Sequence, residues 1–289
     1  MHSLSSLTFR ADLHCHSTCS DGTMSPKELI DLAKTEGLSA LSITDHDTLC
    51  AYDEELLAYA KEKQILLGVG IEISCHHHKQ SVHVLGYDVS ITAQTFIAYL
   101  KRHALRREHR NRAILDKLQR LGISLELCNL HRLGRPHLAQ ALLQRGYVRS
   151  LQEAFHRYLG DQGCCFVAGE LFAVEEALLL IHEAHGKAFL AHPHLYRDRT
   201  FISSLLSLPF DGIEAYYARY APYEQQKWVD LAKQKGLLVS GGSDFHGTIK
   251  PELSMGCSFV TKDGFDAIFS CQEQSCRFRQ EEQKGSQNA

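Results

Sequence analysis

The feature that most limits the fold of this chain is the alternation of short apolar segments with amphipathic helical segments. Short apolar runs are typical of strands, and apolar residues recurring every three or four positions are typical of helices. The strand-like segments are LTFRADLH, LSALSITDHD, ILLGVGIEIS, VHVLGYDV, KAFLAHPH, FDGIEAYY and LLVSGGSDFH. Because strands and helices alternate, the sequence predicts an α/β fold with a parallel sheet or barrel.

The first predicted helix, residues 25–37, has clear end signals. Ser25 is an N-cap, Pro26 suits the first turn, Glu28 completes a capping box and Gly37 ends the helix. Further amphipathic helices are predicted at residues 51–64, 174–186 and 223–236.

The pattern changes between residues 94 and 165, which are rich in Leu, Arg and Gln and predict helix almost throughout. This segment is interpreted as a helical insertion domain. The barrel then has a first part at residues 8–93 and a second part at 166–279, and residues 280–289 are expected to form a disordered tail.

Composition excludes several classes of protein. The net charge of −3 excludes a generally basic nucleic-acid-binding surface, so such contacts need a local patch. No apolar run approaches the roughly 20 residues of a membrane span, and no secretory signal is recognised, so a cytoplasmic protein is expected. The ten cysteines are irregularly spaced and are expected to be mostly reduced.

Ionisable residues stand at or near the ends of the predicted strands, where α/β barrels build their active sites. In DLHCH, His14 and His16 point to one face of a strand because side chains alternate. Carboxylates inside apolar segments are costly unless they are paired or bind a metal. The residues in question are His14, His16, Asp21, Asp45, His46, Glu72, His83, His192, Asp244 and His246.

Imidazoles and carboxylates without thiolates suit Mn, Fe or Zn in a hydrolytic site. A single buried histidine is usually a core residue, but a whole series at strand ends is not explained that way. Two metals bridged by a carboxylate, with Glu72 as the bridge, would form a phosphoester hydrolase in which a metal-bound hydroxide attacks.

The motifs DLHCHSTCSDG, ITDHDT, GIEIS, HVLGY, AHP and GGSDFHG resemble the PHP (polymerase and histidinol phosphatase) domain of the amidohydrolase-like superfamily. Gly134-Arg135-Pro136-His137 resembles the GRPH motif of a stand-alone bacterial subfamily, which includes RNase AM and a nucleoside 3′,5′-bisphosphate phosphatase. The resemblance implies a distorted (β/α)7 TIM-like barrel that holds three metals, most suitably Mn.

The resemblance also implies a ligand set. The first metal would be bound by His14, His16, Glu72 and Asp244, the second by Glu72, His83 and His192, and the third by Asp21, His46 and His246. Asp45 would hydrogen-bond a ligand imidazole from outside this set. The residues expected to be catalytic are Glu72, His192, Asp244 and His246.

Two loops depart from the subfamily pattern. The subfamily often has AHPG where this chain has AHPH, so His194 replaces a glycine. It also often has His-Ser-Pro-Glu where residues 220–224 read YAPYE. Both loops are expected to face the substrate.

The expected substrate is a phosphorylated nucleotide or a short RNA, with no membrane and no obligatory protein partner. A guanidinium can bind a phosphate through two parallel hydrogen bonds, so Arg135 is the main phosphate-binding candidate. On one stripe of the basic segment KRHALRREHRNR, residues 102, 106 and 110 form either a phosphate-guiding wall or a solvated face. Further candidates are Arg102, Arg106, His137 and His194.

Three alternatives remain open from the sequence: histidinol phosphatase, a non-catalytic metal-binding PHP module, and a non-enzymatic RNA-binding protein. Phosphatase and exonuclease activities are not separated either. The run at residues 76–78 (HHH) is interpreted as a surface turn near the site rather than as extra ligands.

Overall fold

The computed structural model describes residues 9–269, which form one seven-stranded sheet with strands in sequence order. The strands are β1 (Ala11–Cys15), β2 (Ala40–Ile43), β3 (Leu66–His77), β4 (Gln80–Tyr87), β5 (Lys187–Leu190), β6 (Gly212–Tyr217) and β7 (Leu238–Gly242).

The sheet curls into a nearly closed barrel because the segment after β7 returns to β1. The amide of Asp244 donates to the carbonyl of His14 at 2.8 Å, and the amide of His16 donates to the carbonyl of Phe245 at 2.9 Å. The prediction of an α/β barrel is confirmed.

The helices are α1 (Pro26–Thr35), α2 (Glu54–Glu62), α3 (Gln94–Arg120), α4 (Arg135–Gln144), α5 (Leu151–Ala154), α6 (Val174–Glu183), α7 (Arg199–Leu205), α8 (Pro222–Lys235) and α9 (Lys262–Ile268). Most of them pack around this barrel, and α4 and α5 belong to a separate small core. The capping box of α1 is present: the Ser25 amide donates to Glu28 Oε2 at 2.7 Å. Such a cap contributes about 1 kcal/mol. Gly37 follows with a φ of 71°, which ends the helix as predicted.

The expectation of a parallel sheet is wrong at β4, which runs antiparallel to both β3 and β5. A two-residue turn, His78 and Lys79, joins β3 to β4 with positive φ at both positions. That backbone suits a tight hairpin, although its usual sequence signal, Asn-Gly, is missing. The expected HHH turn is also corrected, because residues 76 and 77 belong to β3.

The hairpin determines where His83 lies. A strand that runs the opposite way begins at the rim where its parallel neighbours end. His83, in the first half of β4, pairs in register with Ser74 of β3. It therefore lies on the same rim as Glu72.

The inserted segment is less helical than predicted, because residues 121–134 between α3 and α4 form no helix. It has a small apolar core that includes Ile114, Leu118, Leu138 and Leu142. The first half of α3 packs instead in the main core, where Phe96 and Tyr99 are fully buried. One long helix thus connects both cores.

Two further features concern the part of the chain between residues 9 and 269. The eight cysteines found there are all free, as expected. Of the helices described, none combines the length and the apolar character needed to cross a bilayer. The expected tail at residues 280–289 lies outside the described residues.

Candidate metal centre and active site

The nine residues predicted as metal ligands lie together at one rim of the barrel. They are supplied by β1 and the loop after it (His14, His16, Asp21), by the loop after β2 (His46), by β3 and β4 (Glu72, His83), and by the segments after β5 (His192) and β7 (Asp244, His246). Most are buried, and the His83 side chain is the most exposed of the nine at 28%. The sheet thus collects side chains from distant parts of the sequence.

Glu72 lies at the centre of this cluster. Its Oε1 is 2.8 Å from Nδ1 of His83 and 2.9 Å from Nε2 of His192. Its Oε2 faces three more ring nitrogens: His46 Nδ1 at 3.1 Å, His16 Nε2 at 3.2 Å and His14 Nε2 at 3.4 Å. One carboxylate is therefore shared by five imidazoles, as a bridging group requires.

Asp244 joins the His14 and His16 side of the cluster. Its Oδ1 lies 3.4 Å from His16 Nε2 and 3.5 Å from His14 Nε2. Its Oδ2 points away and accepts from the hydroxyl of Tyr217 at 2.8 Å and from Nζ of Lys250 at 2.7 Å. These two donors fix the carboxylate, so that Oδ1 faces the imidazoles.

Asp21 forms a further corner of the cluster. Its Oδ1 lies 3.4 Å from Nε2 of His246 and 3.5 Å from Nδ1 of His16, and its Oδ2 lies 3.7 Å from Nε2 of His46. The His46 ring therefore faces two carboxylates, Glu72 and Asp21, and the His16 ring faces these two and Asp244. The residues predicted for the third metal (Asp21, His46 and His246) are thus in contact with those predicted for the other two.

The spacing around His14, His16 and His46 fits shared cations better than hydrogen bonds. Two ligand atoms that each lie about 2.1 Å from one ion are about 3.0–3.4 Å apart at octahedral or tetrahedral angles. Ring nitrogens of His14, His16 and His46 face carboxylate oxygens near these distances, yet those nitrogens are buried and have no aligned hydrogen-bond partner. Unpartnered buried nitrogens are costly, and a divalent cation would satisfy them.

Three sets of ligand atoms are close enough to hold an ion, each set lying within 4.8 Å. They are His16, Asp21, His46 and His246; His14, His16 and Glu72; and His46, Glu72 and His83. The donor set is imidazole and carboxylate, which matches hydrolytic Mn, Fe or Zn sites.

The charge balance of the cluster also favours cations. Burial alone would raise the pKa of Glu72, but the imidazoles of His83 and His14 hold that pKa well below its usual value. Burial lowers the pKa of His46 to about 3, so this ring is neutral and can act as a ligand. Metal cations and protons compete for such nitrogens, and a bound metal cation displaces the proton.

Glu214 belongs to the site although the sequence analysis did not select it. Its side chain is fully buried; Oε1 lies 2.7 Å from Nδ1 of His14, and Oε2 accepts from the His192 amide at 2.6 Å. The segment FDGIEAYY carries the signal used for Glu72, a carboxylate within an apolar strand. Glu214 orients His14 with its Nε2 toward Glu72.

Replacing Glu214 with glutamine is expected to weaken cation binding by about 10- to 100-fold, because the His14 ring loses a charged partner. The dissociation constant of Mn²⁺ can be measured by competition with a chelating dye. The exposed Glu183 of α6 provides the matched Glu→Gln control. Equal affinities for both variants would contradict this role.

Asp45 has different partners from those expected. Its carboxylate accepts from the amide and hydroxyl of Ser17, at 2.8 and 2.6 Å, and from the hydroxyl of Ser20 at 2.5 Å. The predicted hydrogen bond to a ligand imidazole is therefore wrong. Asp45 instead holds the loop after β1, which carries Asp21.

Asp47 was also missed, and it connects the metal centre to α3. Its Oδ2 accepts from Nε of Arg107 at 3.0 Å and from Arg106 at 3.3 Å, and Oδ1 lies 3.2 Å from Nδ1 of His103. Its amide donates to the carbonyl of Glu72 at 2.9 Å. This residue has a positive φ of 56°, a strained backbone of the kind found at functional sites.

The predicted stripe of basic residues lies on one side of α3. Arg102, Arg106 and Arg110 line a cavity of about 360 Å³. Arg102 is half exposed and pairs with Glu176 at 2.5 Å, whereas Arg106 is buried against Asp47. Arg102 thus forms an ion pair at the surface, whereas Arg106 forms a buried one.

The GRPH motif begins α4, with Gly134 as the N-cap and Arg135 as the first helical residue. Arg135 donates to the carbonyl of Val167 at 3.3 Å, and its guanidinium lies 4.7 Å from the centre of the Phe166 ring. His137 accepts from the Gly134 amide at 3.0 Å and so caps the helix. His137 therefore has a structural partner, and Arg135 remains the stronger phosphate-binding candidate.

The two loops that depart from the subfamily pattern meet in space. The ring of His194 stacks on Tyr220 with centroids 4.2 Å apart and lies 5.8 Å from Tyr217. The Tyr220 hydroxyl donates to the His194 carbonyl at 3.2 Å. His194 thus packs against aromatic side chains, and the two loops are in direct contact.

Comparison with known proteins agrees with this geometry. The PHP domain family pattern matches residues 12–191. A 5′-3′ exoribonuclease of Haemophilus influenzae is 36% identical over 250 residues, which cover 83% of this chain and 91% of the relative. A 3′,5′-nucleoside bisphosphate phosphatase of Chromobacterium violaceum is 32% identical over 248 residues, covering 81% and 86%.

A solved structure from Bifidobacterium adolescentis, described as a metal-dependent phosphoesterase, has a TM-score of 0.78 at 25% identity. The match covers 89% of this chain and 94% of that chain. The family expected from the motifs is confirmed, and this chain belongs to the PHP domain family.

Proposed function

We propose that this metal-dependent phosphoesterase hydrolyses phosphate esters of nucleotides or short 5′-phosphorylated RNA. It would use three divalent cations, with Mn²⁺ as the first choice and Fe²⁺ or Zn²⁺ as alternatives. The observation that carries the proposal is the nine-residue cluster centred on Glu72, with a group of guanidinium side chains beside it. The names of the Haemophilus influenzae and Chromobacterium violaceum relatives support this substrate class.

Cations held by these residues would activate water and withdraw charge from the phosphoryl oxygens. The chain's own side chains orient that site. Glu72 presents both oxygens to opposite groups of imidazoles, and Asp244 is fixed by Tyr217 and Lys250. Glu214 orients His14 from behind.

The guanidinium cluster supports a substrate with strong negative charge. Arg110 donates to Asn111 and to the carbonyl of Leu133, neither of which is charged. Burial, together with nearby Arg107 and Arg135, lowers the pKa of Arg110 to about 9. Positive charge is therefore incompletely neutralised here, and a phosphate would relieve the repulsion.

Donors without a hydrogen-bond partner also support a phosphate-bearing substrate. Nε of Arg106 and Nε of Arg135 are buried and have no hydrogen-bond partner. Arg135 would hold a second phosphate of the substrate, while the residues around Glu72 would hold the cations that act on the scissile phosphate. This arrangement suits substrates that carry two phosphates or a phosphodiester chain.

The proposal is tested by turnover of the purified, Mn-loaded protein and of the same protein after chelation. The substrates are a nucleoside 3′,5′-bisphosphate, a short 5′-phosphorylated RNA and histidinol phosphate. Turnover of the first two that chelation abolishes is expected. Activity on histidinol phosphate alone would make the protein a histidinol phosphatase, and RNA binding without turnover that survives chelation would make it a binding protein.

Truncating Arg135 to alanine is expected to raise KM for these substrates by about 10- to 100-fold, because a charge-assisted hydrogen bond is lost. Lysine at this position should restore part of the affinity, since it keeps the charge without the planar fork. Steady-state kinetics provide the measurement. Arg145, exposed at the other end of α4, is the control for truncation, and an equal effect there would rule out a phosphate contact.

A further inference from the structure

A cavity of about 350 Å³ lies beside the metal centre, with His46 in its lining. One wall is the loop after β2, and the opposite wall is the first half of α3. The loop after β1 and residues 131–132 close the remaining sides. Its size is at the lower end for small-molecule sites, enough for one nucleoside rather than a strand.

The cavity shares lining residues with the metal centre. His46 lines it, and Nδ1 of the same ring lies 3.1 Å from Glu72 Oε2. Arg107, which is bonded to Asp47, lines it as well. The cavity therefore adjoins the side chains that would hold a phosphate at the metal centre.

The side chains of the walls fit a flat ring to which a negatively charged phosphate is attached. The apolar lining is supplied by Leu49, Ile91, Ile97, Leu100 and Ala104. Lys101, Arg107 and Arg132 add cationic groups to the same lining. Apolar walls bind the faces of a ring by excluding water, and the cations attract the phosphates attached to it.

We infer that this cavity is the nucleoside subsite, which takes the base of the nucleotide whose phosphate lies at the metal centre. The inference rests on the proposed function, because it assumes a nucleotide as the substrate. It adds that the base itself contributes affinity, so the enzyme discriminates nucleotides from base-free sugar phosphates.

Ala104→Phe tests the inference, because a phenyl ring at this position of α3 occupies the cavity. Kinetics are compared on a nucleoside 3′,5′-bisphosphate and on the abasic deoxyribose 3′,5′-bisphosphate. The wild type should have a KM about tenfold or more lower for the nucleotide. The variant should raise KM for the nucleotide to the abasic value and leave the abasic KM unchanged.

Binding of a 2-aminopurine nucleoside monophosphate, followed by its fluorescence, provides a readout independent of turnover. Gln119→Phe adds the same ring to the exposed end of α3 and is the control. Ala104→Val makes a smaller change, and it decides the question if the phenylalanine variant does not fold. Circular dichroism and cation content establish folding in each case.

The outcomes separate this inference from the proposed function. Equal KM values for the two substrates in the wild type, or an equal loss on both in the variant, would overturn the nucleoside subsite while phosphoesterase activity stands. Fluorescent nucleotide binding that depends on Ala104, without hydrolysis of any ester, would leave the subsite standing and reject the proposed function.

Discussion

Glu72→Gln is expected to abolish turnover, with kcat reduced by at least about a thousandfold. Glu72 shares its two oxygens among five imidazoles, so it is the group through which neighbouring cations would be bridged. A neutral amide offers one weak oxygen in place of two charged ones. Charge stabilisation by cations contributes several kcal/mol, and each 1.4 kcal/mol corresponds to about tenfold in rate.

The measurement has two parts, kcat under saturating substrate and the number of cations retained after gel filtration. Glu62→Gln is the matched control, since Glu62 is exposed on α2. The variant should lose at least one cation, whereas the control should keep the wild-type content. A variant that retains every cation and most of its turnover would remove Glu72 from the centre of the mechanism.

Asp47→Asn is expected to destabilise the protein by about 3–5 kcal/mol. The side chain is buried with a relative exposure of 1%, and Arg106, Arg107 and His103 surround it. An asparagine would leave two guanidinium groups buried without a charged partner. Arg106 and Arg107 lie on α3, so the loss of Asp47 would also remove the contact that holds this part of the helix at the metal centre.

Urea denaturation of the cation-free protein at pH 7 measures this loss. Asp116→Asn, on an exposed position of the same helix, is the control. A difference between the two variants below about 1 kcal/mol, the value typical of surface ion pairs, would show that Asp47 is not an anchor.

The loss should depend on pH in a defined direction. Burial alone would raise the pKa of Asp47, but His103, Arg107 and Arg106 hold that pKa well below its usual value. A carboxylate whose folded pKa is depressed stabilises the protein above its unfolded pKa, about 3.9, and loses that contribution as the pH falls through the folded value. The gap between wild type and variant should therefore be present at pH 5–7 and narrow below about pH 4.

Much of the site was determined by local sequence. His14 and His16 lie on one face because strand side chains alternate, and Cys15 on the opposite face packs in the main core. The capping box and Gly37 set the ends of α1 through contacts between near neighbours. The series of carboxylates and imidazoles at strand ends predicted the metal centre, because ionisable groups in apolar strands need compensation.

Only the tertiary structure decided features that depend on distant residues. The direction of β4 follows from a hairpin whose turn residues, His78 and Lys79, give no strong turn signal. Arg107 meets Asp47 across 60 residues of sequence, and Glu214 meets His14 across 200. The apolar strand around Glu214 indicates a buried carboxylate, but no local pattern shows which distant residue becomes the partner of Glu214 or of Asp47. The partner is set by how the barrel closes and where α3 packs against it.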